Sequence, residues 1–131
     1  MTALLFGSAE VGSVFQLLGD KENDITKSIA WALTKCPRFM ELFISELANI
    51  NVDADKVIVR YQSYEEKKGI TDLEITDETN FYIIVEAKRG WILPGKEQLE
   101  MYAERSDFKS SLVKTKLIVT MSECSDVFAT N

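Results

Sequence analysis

Apolar and polar positions recur along this chain with two different periods, and the change of period separates helices from strands. From Lys21 to Lys35 the apolar residues Ile25, Ile29, Ala32 and Leu33, running on to Cys36, follow helical spacing, with Asp20 placed to cap the start. Pro37 closes that helix and suits the beginning of a second, Arg38–Asn49. There Phe39, Leu42, Phe43 and Leu47 form one stripe with Met40, Ile44 and Ala48 beside it, so this helix is expected in the core. The period then falls to two. Lys56–Tyr64, Ile70–Thr76, Phe81–Lys88 and Lys116–Met121 read as strands, with a helix over Lys96–Arg105 between the last two. Asn51–Asp55, the charged Glu65–Gly69, Asp77–Asn80 and Arg89–Gly95 connect them. Met1–Gly19 is interrupted by Gly7, Gly12 and Gly19; Val14–Leu18 within it fits a short strand or an apolar lead-in. Ser122–Asn131 carries no strong pattern.

In order, these are helix, helix, three strands in a meander, helix and strand. That predicts an α/β architecture with a mixed four-stranded sheet flanked by helices. The last strand should run parallel to Phe81–Lys88, because a strand–helix–strand connection crosses over with a right hand. Within Phe81–Lys88, Tyr82, Ile84, Glu86 and Lys88 share one face, and Phe81, Ile83, Val85 and Ala87 the other. Both faces are mostly apolar, as expected of a central strand. A three-residue loop of Glu78, Thr79 and Asn80, with Asn80 left-handed, would set Ile75 opposite Ile83 and Asp72 opposite Glu86.

Charge changes the picture at that hairpin. Asp72, Glu74 and Glu86 lie inside apolar strands, where an ionised group costs several kcal/mol unless it is paired. Asp72 and Glu86 as neighbours repel each other, and such a pair invites a divalent cation. Lys88 lies about 6.6–6.8 Å along the same face from Glu86 by strand rise, near enough to neutralise the pair or approach a metal-bound water. Glu74 shares Asp72's face but pairs near Ile84, away from Lys88, and is set aside. Upstream, Glu22 falls on the apolar stripe of the first helix. It reads either as a partner of the helix dipole or as a further carboxylate aimed at the pair. Gln98 and Tyr102 are one helical turn apart, able to orient a phosphate or Lys88, or else a polar face with one core tyrosine.

Asp72 followed by Glu86-Ala87-Lys88 on the next strand resembles the D…(D/E)-x-K signature of the PD-(D/E)XK nuclease superfamily, with Thr71 where that signature has proline. Gln98 and Tyr102 in QLEMY resemble the Q-x-x-x-Y motif of its RecB-like branch, and Glu22-Asn23-x-x-Thr26 resembles the arrangement on its first core helix. The resemblance implies a restriction-endonuclease-like α-β-β-β-α-β core over about residues 20–121. It also implies Mg2+ or Mn2+ held by Asp72 and Glu86 with Glu22, and Lys88 beside the attacking water. Gln98 and Tyr102 would position the cut strand.

Composition narrows the chemistry. The 131 residues contain no histidine, which excludes His-based triads and His-ligated zinc from this chain. Carboxylates and lysine remain, and these suit Mg2+ or Mn2+. One domain is expected over residues 1–131. No apolar run approaches the roughly 20 residues of a membrane span, and Thr2–Gly7 lacks the form of a signal peptide. Cys36 and Cys124 read as reduced thiols, so a cytoplasmic protein is expected. The net charge of −6 weighs against a simple nucleic-acid binder, which would usually be basic. Lys67, Lys68, Lys88, Arg89, Lys96 and Arg105 could still supply a local basic rim, or be ordinary solvated charge. Tyr61 and Tyr64 offer stacking surfaces, and the apolar loop Arg89–Gly95 with Trp91 a substrate-contacting segment, with plain packing as the alternative for each.

The expected activity is therefore metal-dependent hydrolysis of phosphodiester bonds, in DNA ahead of RNA. Two alternatives stand beside it: a non-catalytic module of the same fold binding nucleic acid or a protein, and a structural ion-pair network joining Asp72, Glu86 and Lys88. A homodimer, or further domains in a longer parent chain, stays open.

Overall fold

The computed structural model describes the backbone of residues 4–6, 8–11, 22–125 and 127, and the side chains of residues 8, 10, 24–125 and 127. The Asp20 cap, the Val14–Leu18 run and the side chains of Glu22 and Asn23 lie outside the described residues. In chain order the elements are β1 (Leu4–Phe6), β2 (Ala9–Val11), α1 (Glu22–Lys35), α2 (Pro37–Ala48), β3 (Ile58–Glu65), β4 (Gly69–Thr76), β5 (Phe81–Ala87), α3 (Lys96–Ala103), α4 (Ser106–Ser110) and β6 (Thr115–Met121). A 3-10 turn, Ala54–Lys56, leads into β3. β1 and β2 form an antiparallel pair in a stretch whose sequence pattern named no firm element. No helix among the described residues is long and apolar enough to cross a membrane.

The main sheet has the order β3-β4-β5-β6, with β3, β4 and β5 antiparallel and β6 parallel to β5. All seven residues of β5 are buried, as befits a strand covered on both faces. Its odd-numbered side chains Phe81, Ile83 and Val85 join Leu73 and Ile75 of β4 under Ala30, Leu33, Met40 and Ile44 of α1 and α2. The even-numbered Tyr82 and Ile84 pack instead with Tyr102, Phe108 and Val113, which puts α3 and α4 on the opposite face. The molecule is a mixed sheet between two helical layers.

Local sequence accounts for most of the boundaries. Pro37 occupies the first turn of α2, where its missing N–H costs nothing, and Asn49 ends that helix left-handed (φ 53°), its amide on the Ser45 carbonyl. The β4–β5 loop departs from expectation. Glu78 rather than Asn80 takes the left-handed conformation (φ 65°), because Asp77 Oδ1 accepts the amides of Thr79, Asn80 and Phe81 and folds the loop around itself. The register is nevertheless the expected one, Ile75 opposite Ile83 and Leu73 opposite Val85. The helical stripes are rotated from the sequence reading. Thr26, Ala30 and Leu33 are the buried line of α1, while Ile25 and Cys36 are exposed. On α2 the core residues are Met40 and Ile44, and Leu42 is half out in solvent. The helix expected to end at Arg105 stops at Ala103, and α4 follows at once.

Candidate active site

The sheet changes character at Asp72. On one side, β4 and β5 are paired from Thr76–Tyr82 as far as Leu73–Val85. Beyond that, the Asp72 carboxylate replaces the ladder, its Oδ2 accepting the Ala87 amide at 2.7 Å. On the other side, Tyr61 pairs with Leu73 and Ser63 with Thr71, leaving Gln62 opposite Asp72 with φ 51°. A left-handed non-glycine residue inside a strand costs on the order of 1 kcal/mol, so the distortion must be held by its surroundings. No local feature of the sequence announces Gln62.

Glu86 is 3% exposed, and every donor around it is in place. Lys88 Nζ lies 3.1 Å from Oε1, and Gln98 Nε2 donates to the same oxygen at 2.8 Å. The Tyr102 hydroxyl stands 3.0 Å from Oε2, and also 2.7 Å from the Ile70 carbonyl, so its single proton serves these two acceptors. Gln98 donates to that hydroxyl at 3.0 Å. Burial, the negative Glu86 and Asp72, and the hydrogen bond to Glu86 outweigh the opposing hydrogen bond from Gln98. Together they push the Tyr102 phenol up to about 12, so it is a donor at any ordinary pH.

Five of the six expected site residues, Asp72, Glu86, Lys88, Gln98 and Tyr102, therefore meet at one end of β4 and β5. The helical pair grips Glu86, where the sequence suggested a phosphate or Lys88. Glu22 opens α1, but its side chain lies outside the described residues. Its backbone position is one turn before the buried Thr26, which lines a cleft of about 120 Å3 together with Lys88. Burial raises the Tyr61 phenol, with Asp72 and then Asp24, two residues on from Glu22, adding to it. The N-terminal end of α1 thus lies in electrostatic reach of the same corner.

Arg105 belongs elsewhere than the basic rim proposed for it. It is 3% exposed, donating to the Gly69 carbonyl at 2.9 Å and the Ser63 carbonyl at 3.1 Å, with Nε 3.6 Å from Glu74 Oε1. Tyr82 donates to that same Glu74 oxygen at 2.9 Å. Glu74, set aside as a ligand, is the anchor of a second buried cluster that straps the β3–β4 hairpin to the end of α3. Lys96 is exposed and paired with Glu100 across one helical turn.

Asp72, Glu86 and the Ala87 carbonyl are hard oxygen donors on adjacent strands, the type that Mg2+ and Mn2+ prefer. Among the described residues, no group of three or more Cys, Asp or Glu is gathered as for an ion. Glu86 Oε1 is already taken by Lys88 and Gln98, so a cation on that oxygen has to displace the ammonium. No protein-family model matches the chain, and no curated protein or solved structure matches it either.

Proposed function

We propose that this chain is a metal-dependent nuclease, hydrolysing phosphodiester bonds in DNA ahead of RNA, on a restriction-endonuclease-like fold. The observation that carries the proposal is the corner where Asp72, Glu86 and Lys88 meet, with the Asp72 carboxylate on the Ala87 amide and Lys88 3.1 Å from Glu86. The element order, helix pair, antiparallel meander, helix and parallel strand, supports the fold assignment. Asp72 and Glu86 would hold Mg2+ or Mn2+, with the Ala87 carbonyl and Glu22 as further ligands. Bound there, the ion would lower the pKa of water and offset charge on the phosphorane-like transition state.

The chain's own groups have separable tasks in this reading. Gln98 and Tyr102 fix the Glu86 carboxylate from two directions, so its orientation is set before substrate arrives. Lys88, partly open to solvent, carries a positive charge to the phosphate and orients the attacking water. Lys67, Lys68 and Arg89 offset the acidic balance of the chain where the nucleic acid approaches. The products would be a 5′-phosphate and a 3′-hydroxyl.

One observation favours a second reading, a structural ion-pair network. Lys88, Gln98 and Tyr102 satisfy both oxygens of Glu86 without any metal. The two readings part in a cleavage assay. End-labelled single- and double-stranded DNA is incubated with the protein in Mg2+, Mn2+ or EDTA, beside Asp72→Asn and Lys88→Ala. Cutting that needs metal and disappears in both variants is the expected result. Cutting that survives EDTA or either substitution, or no cutting with any metal, refutes the nuclease.

A further inference from the structure

The two edges of the main sheet are finished differently. β3, at one edge, carries Arg60 and Glu65 and is distorted at the left-handed Gln62, features that keep an open edge from pairing with a further strand. β6, at the other edge, has no glycine, proline or charge from Leu117 to Met121. Its apolar side chains are only partly covered. Leu117, Val119 and Met121 lean on the α1–α2 core, and Ile118 on the α3–α4 core.

The bonds to β5 fix which way each peptide group of β6 points. The Thr115 amide donates to the Asn80 carbonyl, and the Met121 carbonyl accepts the Lys88 amide. Both residues are odd-numbered, and the β5–β6 register runs without a bulge from Thr115 to Met121. By alternation, Leu117 and Val119 also turn their backbone toward β5, whereas Lys116, Ile118 and Thr120 turn theirs away from the sheet. Among the described residues, no strand pairs with β6 on that side. A row of outward N–H and C=O groups is completed by an extended strand, not by a helix.

The strand that fits best is β6 itself. Two copies set antiparallel about a two-fold axis at Ile118 bring Ile118 opposite Ile118 and Lys116 opposite Thr120, so every outward residue meets an outward one. Each such pair exchanges two hydrogen bonds. Leu117 of one copy falls opposite Val119 of the other, on the α1–α2 side of both, so the partly covered apolar residues continue across the seam. Charge agrees with this register. Lys116 faces a threonine rather than a second lysine, and the exposed Lys114 comes opposite Ser122, beside the exposed Glu123 of the other copy. We infer that the β6 edge is a self-pairing surface through which two copies of this chain join their four-stranded sheets into one. The same patch serves on both copies, as a two-fold interface requires. The inference does not rest on the nuclease reading.

A seam of one strand pair is small, so a dimer with a dissociation constant of about micromolar order is expected. Sedimentation of the wild-type chain over a concentration series should show it passing from monomer to dimer in that range. Hydrogen exchange on dilute and concentrated protein, quenched and read by NMR, locates the surface. The amides of Lys116, Ile118 and Thr120 should slow about tenfold or more in the dimer, while those of Leu117, Val119 and Met121, turned toward β5, change little. Thr120→Pro, at an exposed position whose amide points away from β5, should weaken association about tenfold or more and leave the melting temperature of the dilute monomer within about 3 °C. Should that variant fail to fold, the exchange pattern of the wild type decides alone. A dimer in which the three outward amides exchange as fast as in the monomer, or one that folded Thr120→Pro leaves intact, overturns the inference. A chain that stays monomeric overturns it too. With the three amides already protected, the chain covers its own edge; with them exchanging freely, the edge is left to a strand of another protein.

Discussion

Replacing Lys88 by methionine separates a metal site from an ion pair, because the same ammonium serves both. Lys88 Nζ is 3.1 Å from Glu86 Oε1; the Glu86 side chain is 4% exposed and that of Lys88 24%. Breaking a fully buried pair by removing one partner costs about 3–5 kcal/mol. Here the cost is smaller, since Lys88 is partly solvated and Gln98 and Tyr102 still bond Glu86 in the variant. About 2 kcal/mol is expected, which for a chain of this size lowers the melting temperature by about 8 °C in EDTA.

The two readings diverge when a divalent cation is added. If Asp72 and Glu86 hold Mg2+ or Mn2+, the Lys88→Met variant offers the ion the place on Oε1 that the ammonium had filled, beside the Gln98 hydrogen bond. Binding at a hundredfold excess over the dissociation constant returns about 2.7 kcal/mol, so most of the lost stability is recovered. Wild type should gain less, because the ion first has to displace the ammonium. The assay is a thermal melt of both proteins in EDTA, Mg2+ or Mn2+, with KCl matching the ionic strength so that simple screening is subtracted. A variant whose melting temperature stays depressed and indifferent to either ion would refute the metal site.

The second cluster gives the largest stability effect expected in the chain. Arg105→Met leaves Glu74, 2% exposed, without its ion-pair partner, while the Tyr82 hydroxyl still donates to it. It also strips donors from the Ser63 and Gly69 carbonyls, and should cost about 3–5 kcal/mol in urea unfolding; a loss under about 1 kcal/mol would contradict the clamp. Tyr102→Phe should cost about 1.5–3 kcal/mol, since its hydroxyl bonds a buried carboxylate, and, if the chain is the proposed nuclease, should lower the turnover number more than it raises KM. Alkaline pH should destabilise the fold. The Tyr102 phenol, raised to about 12 mainly by burial, stands above its unfolded value of about 10. Its contribution is therefore complete below pH 10 and lost as pH rises through 12, which urea melts across that range would register. Gly69→Ala should cost about 1 kcal/mol or more, because φ is 75° and the new Cβ would lie 2.8 Å from Met101 Cε.

What the sequence disclosed, and what it hid, follows from the range of the interactions involved. Strand period and turn residues are local, so the meander, the β4–β5 register and the parallel β6 could all be read from composition and spacing. The same locality placed Asp72, Glu86 and Lys88 on one face, because alternation along a strand leaves little freedom once the hairpin register is known. Helix rotation is different. Whether α1 buries Ile25 or Thr26 depends on which side of the helix meets the sheet, and the apolar stripe misled because a fully buried threonine carries no hydrophobic signature. Arg105 and Glu74 show the same limit more sharply. Arg105 looks like a surface charge in its own segment and Glu74 like a strand charge in need of a partner, and only the fold brings the guanidinium to that carboxylate and onto carbonyls 36 and 42 residues upstream. That clamp and the Tyr102 hydroxyl hold neighbouring points of one hairpin, at Gly69 and Ile70. The position of Glu86 is thus coupled to a buried ion pair on the same sheet face. A substitution at Arg105 should therefore loosen the grip of Tyr102 on Glu86 as well as destabilise the fold, and Arg105→Lys, which keeps the charge but loses the fork, should do so with the smaller loss of stability.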